Sequence, residues 1–182
     1  MQQTGPEIRG LAVLFPEEIS VEINKWRRVY DPRYQMVPPH ITVAYPPFVP
    51  EKEWPSVRPA LIECLSEFQS FRIHLKELGA FTASPHILWL KPEDDGNLSR
   101  IHATLAERFP KYVPVLPFDY VPHVTIGPFD SEQELLKAQE AILAEWKPCH
   151  FQVHELVYIS SDSGGVWRIC GQLPLGQPAA DA

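Results

Sequence analysis

The chain is poor in cysteine: Cys64, Cys149 and Cys170 are the only three in 182 residues. They are too few and too scattered for a disulfide framework or a zinc knuckle, so a reducing compartment is expected. No apolar run approaches the length of a bilayer span and no signal-peptide pattern opens the chain, which predicts a cytoplasmic protein without a membrane partner. Basic residues are in the minority. Sixteen Lys and Arg against 23 Asp and Glu leave a net charge of −7. That balance excludes a protein that coats long nucleic acid, which needs a broad basic surface. It leaves room for a small nucleotide or one RNA end in a local pocket. The glycine-rich phosphate loop is missing. So is nucleophile-elbow spacing around residues 160–165, which read as a hairpin turn.

What is present is a repeated stretch. Pro39-His40-Ile41-Thr42-Val43 recurs as Pro122-His123-Val124-Thr125-Ile126. Both copies continue with a small residue, Ala44 or Gly127, and close on Pro-Phe. Alternating β-branched runs of this kind read as strands. Residues two apart on a strand share a face, so His40 lies beside Thr42 and His123 beside Thr125. The copies stand about 80 residues apart, an offset that other elements repeat, as in a duplicated unit.

The first half predicts a strand over residues 9–15 and a helix opened by Pro16-Glu17-Glu18 with Ile19, Ile23, Trp26 and Tyr30 in one stripe. The strand of the first motif follows. Next come a helix over 56–68, in which Pro59 fits only the first turn, and a strand over 71–78. The second half predicts a strand over 86–90, a turn at Asp94-Asp95-Gly96-Asn97 with a helix cap, and a helical stripe of Leu98, Ile101, Leu105 and Phe109. After the second motif, Ser131 and Glu134 form a capping box for a helix with Leu135, Ala138 and Ile142. Strands over 151–159 and 166–173 close the chain. Residues 8–175 are read as one domain of two repeated lobes, 8–80 and 86–173, with 1–7 loose and 176–182 a flexible tail.

Paired histidines at matching positions suit phosphoester chemistry. One imidazole removes a proton from the attacking oxygen while the other protonates the leaving oxygen, with a pH profile centred near neutrality. Thr42 and Thr125 could donate to the non-bridging phosphate oxygens. Zinc is the competing reading, but no third ligand stands at a usual spacing and the His-x-Glu with Cys-x-x-Cys pattern is absent. No metal and no cofactor are expected. Tyr45, just past the first motif, could stack on a base. His74, His86, His102, His150 and His154 share no pattern and read as packing or surface residues.

With both motifs complete, the chain resembles the 2H phosphoesterase superfamily, and within it the 2'-5' RNA ligase and cyclic phosphodiesterase group. Leu78-Gly79-Ala80-Phe81, Leu88-Trp89 and residues 155–160 add to the similarity, which runs from about residue 9 to 173. Where members often carry an aromatic early in the first strand, this chain has Leu11. The resemblance implies a two-lobed α+β fold with antiparallel sheets, helices on the outer faces and a central cleft on a pseudo-two-fold axis. It implies metal-free action on 2',3'-cyclic phosphates, with a 2'-5' oligonucleotide phosphodiesterase or ligase as the alternative enzyme. A non-catalytic nucleotide- or RNA-binding module is the alternative of another class. A monomer acting on a nucleotide or RNA end is expected, with His40, His123, Thr42 and Thr125 in the site and the acid and base roles unassigned.

Overall fold

Apolar residues at alternate positions and apolar residues at helical spacing divide the described residues into eight strands and four helices. A computed structural model describes residues 8–176. The expectations for residues 1–7 and for the tail beyond 176 lie outside the described residues. The elements run β1 (Ile8–Leu14), α1 (Glu17–Tyr30), β2 (His40–Ala44), α2 (Trp54–Ser66), β3 (Phe71–Phe81), β4 (His86–Glu93), α3 (Asn97–Arg108), β5 (Val124–Phe129), α4 (Glu132–Leu143), β6 (Cys149–Val153), β7 (Glu155–Ser161) and β8 (Trp167–Pro174). They form two four-stranded antiparallel sheets, ordered β2-β1-β7-β8 and β5-β4-β3-β6. This is the two-lobed α+β fold that the resemblance implies.

Neither sheet is built from one half of the chain. β3 leaves the first half to pair with β4, and β7 leaves the second half to pair with β1. The helices cross as well: α1 packs on β5, and α3 packs on β2. Each half therefore supports the motif strand of the other.

Local chemistry explains the boundaries. α1 buries Ile19, Ile23 and Trp26, carries Glu17 and Glu18 in its first turn, and ends where Asp31 goes extended ahead of Pro32. α4 shows one half of the expected capping box, Ser131 Oγ accepting from the Glu134 N–H at 3.3 Å. α3 is capped from a buried Asp94, which accepts the Leu98 N–H at 2.5 Å and the Gly96 N–H at 3.2 Å.

Three expectations change. The helix expected over 56–68 begins at Trp54, with Pro55 in the first turn, so Pro59 falls in the second turn. The missing N–H is tolerated because this face of the helix is exposed and water can serve the freed carbonyl. The strand expected over 151–159 is two strands. It breaks at His154, where the chain leaves β3 for β1. Gly176 is not frayed: its N–H donates to Phe68 O at 2.8 Å and its carbonyl accepts from Ser70 N at 3.2 Å.

Candidate active site

Both motif strands carry a β-bulge at the same place. In the β1–β2 pair, Leu11 opposes Ala44 and Ala12 opposes Thr42, leaving Val43 as the extra residue. In the β4–β5 pair, Leu88 opposes Gly127 and Trp89 opposes Thr125, leaving Ile126 extra. A bulge bends the strand and re-aims its side chains. Here it falls directly after each His-x-Thr.

The two histidines are anchored alike. His40 Nδ1 donates to Pro38 O at 2.9 Å, and His123 Nδ1 donates to Val121 O at 2.8 Å. A carbonyl only accepts, so each Nδ1 holds the proton in the neutral ring. Nε2 is then the lone-pair nitrogen in both, bonded to no other described residue. His40 opens β2, whereas His123 stands one residue before β5.

The loop that presents His40 is pinned by a buried ion pair. Arg27, 2% exposed, donates to Asp31 Oδ2 through Nη2 at 2.6 Å and Nε at 3.1 Å, and to Val37 O at 2.8 Å. Asp31 Oδ1 accepts the Arg33 N–H at 2.8 Å. The backbone of the first motif is held from the other half: His102 Nδ1 donates to Val43 O at 2.8 Å, and Tyr120 Oη to Thr42 O at 2.8 Å. The His102 and Tyr120 rings stack at 4.0 Å. At the second motif, a Cβ on Gly127 would run into the Tyr30 carbonyl at the end of α1. Glycine permits that close approach, where the first motif has Ala44.

Aromatic rings flank both imidazoles. The Trp167 ring lies 4.2 Å from that of His40, and the Trp167 N–H donates to Met36 O at 2.9 Å. Phe81 stands edge-on to His123 at 5.1 Å, with Trp89 at 6.0 Å. The Trp89 indole lies close against Gly79, where a side chain would collide with it.

Burial pushes His40 down to about 4, with the Pro38 bond opposing and the positive charges of Arg27, His123 and Arg33 adding to the fall. Burial also holds His123 below the usual histidine range, opposed by its bond to Val121. Both rings therefore favour the neutral form more than a free imidazole does, and His123 is near enough for its charge to be felt at His40.

A cleft of about 390 Å³ is lined by His40 and Thr125, together with Arg27, Arg33, Ile87 and Trp167. His40 and Thr125, from opposite halves, thus share one wall system. His123 and Thr42 are not on this wall. Neither Thr hydroxyl is bonded to another protein group among the described residues. Tyr45 stands apart, edge-on to Phe118 at 6.1 Å and Tyr120 at 6.3 Å, and burial raises its phenol. Leu11 is fully buried in the core, so its side chain is not available to a ligand. Among the described residues, no three His, Cys, Asp or Glu side chains are grouped to hold a metal ion. No described helix is long and apolar enough to cross a membrane.

Four residues of this neighbourhood, Arg33, His102, Tyr120 and Trp167, carry no sequence signal of their own. A faint one exists for Arg27, which occupies a position on the buried face of an amphipathic helix where a charge needs a partner.

The two antiparallel sheets and four helices among the described residues form the fold of the 2H phosphoesterases. Residues 15–165 match the family model of the 2'-5' RNA ligase superfamily, and the chain belongs to that superfamily. It is 30% identical over 118 residues to the "Putative phosphoesterase" of Geobacillus kaustophilus, covering 65% of this chain and 67% of the relative. A Bacillus cereus protein of the same name is 30% identical over 123 residues, 67% and 70% of the two chains. Among solved structures, TT0787 of Thermus thermophilus superposes with a TM-score of 0.61 at 19% identity, over 92% of this chain and 97% of that one. E. coli LigT complexed with 3'-AMP gives 0.60 at 19% identity, over 94% and 99%. At these identities the structures establish the fold.

Proposed function

We propose that the protein is a metal-independent phosphodiesterase that opens 2',3'-cyclic phosphates of nucleotides or RNA ends. The observation that carries this is the pair of histidines, each with Nδ1 tied to the carbonyl two residues before it and Nε2 left for chemistry. Water attacks phosphorus, a new P–O bond forms and the bond to the 2' or 3' oxygen breaks. One imidazole takes the water proton while the other gives its proton to the departing oxygen, so the pair ends with its protons exchanged. Thr42 and Thr125 donate to the non-bridging oxygens. His40, in the more cationic surroundings, is the base; His123 is the acid. Tyr45, beside Tyr120 and the exposed Phe118, is the candidate for contact with a base. Residues 8–175 act as one unit, since each sheet draws strands from both halves. LigT has been solved with 3'-AMP, ATP and NADP+, which supports a nucleotide ligand here.

The test is a panel of nucleoside 2',3'-cyclic phosphates beside 2'-5' dinucleotides, assayed in excess EDTA. Turnover of the cyclic substrates is expected. Cleavage confined to the dinucleotides would assign the alternative linkage. Loss of all activity in EDTA with recovery on added Zn²⁺ would refute the metal-free mechanism.

The histidine environments fix a pH dependence. The active free protein needs His40 neutral and His123 protonated. Both groups titrate below 6.5, so the kcat/KM profile is expected to peak on the acid side of 6.5 and to fall as pH drops through about 4. This is more acidic than the neutral bell that unperturbed histidines predict. A bound phosphate anion stabilises imidazolium, so the kcat profile should lie at higher pH than the kcat/KM profile. A kcat/KM optimum above pH 7 would contradict the assignment.

A further inference from the structure

We propose that Arg33 recognises a second phosphate on the substrate, distinct from the one that reacts, so that the cleft selects nucleotides bearing an additional phosphate. This rests on the reading of the cleft as a nucleotide phosphoester site. Arg33 lines the cleft with His40 and Thr125, and it is exposed. Its guanidinium makes no hydrogen bond or ion pair with another described residue. The backbone beneath it is fixed: its N–H goes to Asp31 Oδ1 at 2.8 Å, and its carbonyl accepts from Met36 N at 2.9 Å and Val37 N at 3.0 Å. Asp31 is the one carboxylate on the cleft wall among the described residues. It is buried and committed to Arg27. Arg27 in turn directs its donors to Asp31, Asn24 and Val37.

Among the described residues, Arg33 is thus the uncommitted arginine of the cleft, in a chain of net charge −7. The volume agrees. A cleft of about 390 Å³ falls within the range of small-molecule sites, about 300–1,000 Å³, and has room for more than a single phosphate. Arg33 stands on the exposed loop between α1 and β2, whereas the histidines and threonines stand on the motif segments. An exposed arginine with its fork open suits a phosphate dianion. On a ribose whose 2' and 3' oxygens hold the reacting phosphorus, the remaining site for a phosphate is the 5' oxygen.

The test is equilibrium binding of adenosine 3',5'-bisphosphate and adenosine 3'-monophosphate by calorimetry, since neither depends on turnover. The wild type should bind the bisphosphate about tenfold more tightly, the lower end for a charge-assisted bond at an exposed site. Arg33→Gln should collapse that ratio towards one, and Arg33→Lys should retain part of it. Raising salt should shrink it in the wild type. Equal affinities in the wild type would overturn the proposal. So would an Arg33→Gln variant that loses the same factor for both nucleotides, which would assign the arginine to the reacting phosphate or to the fold. A preserved ratio in Arg33→Gln would also overturn it. If neither nucleotide binds the wild type, this proposal and the nucleotide reading fall together. An Arg33-dependent preference without turnover in the cyclic phosphate panel would remove only the hydrolytic reading.

Discussion

Replacing either His40 or His123 with alanine is expected to lower kcat by about a thousandfold, the middle of the range for a positioned acid or base. The double variant should be little worse than either single one, because the two imidazoles act in one concerted transfer. Losses that multiply would mean that they act independently. The fold should survive, since both rings are partly exposed and each makes one hydrogen bond, to a carbonyl that water can also serve. Circular dichroism and the urea midpoint check this. His40→Ala also removes the ring against which Trp167 packs, so the indole fluorescence should change even where stability does not.

The second large effect is expected at Arg27. Arg27→Met keeps an unbranched stem but removes the guanidinium, leaving Asp31 buried without its counter-charge. Breaking one partner of such a pair costs about 3–5 kcal/mol, a large share of the roughly 5–15 kcal/mol that stabilises a domain. Urea unfolding should show the loss directly. Activity should fall as well, because Arg27 also holds Val37 O in the loop that presents His40. Adding Asp31→Asn should recover part of the stability: it removes the buried charge while the amide oxygen can still accept the Arg33 N–H. A single variant as stable as wild type would show that solvent already compensates the carboxylate.

The parts legible in the sequence were those with a short period. Two-residue alternation places His40 with Thr42 and His123 with Thr125. Helical spacing finds Ile19, Ile23 and Trp26, and Ser131 with Glu134 marks the start of α4. None of these needs a distant partner to be recognised. The exchange of β3 and β7 between sheets was not legible, because a strand's own pattern tells which face is buried and not which strand lies beside it. The break at His154 follows from that exchange and shares its silence. His102 read as a packing residue; its bond to Val43 O spans 59 positions, and no local rule reaches that far. Arg33 has only exposure and charge to mark it, and many surface arginines have both.

The placement of β7 between β1 and β8 bears on how the protein is made. As the chain leaves the ribosome, β1 and β2 emerge early, but the edge of β1 that β7 will cover stays open until residues 155–161 have been synthesised. Pairing at that separation is slow, since the entropy of loop closure is lost before the contacts form. An open apolar strand edge is a template for the wrong partner, whether another nascent chain or a second copy. β2-β1 ribbons from stalled or truncated chains should therefore be the species that chaperones meet, and a chain ending before β7 should be recovered as aggregate rather than as a soluble half.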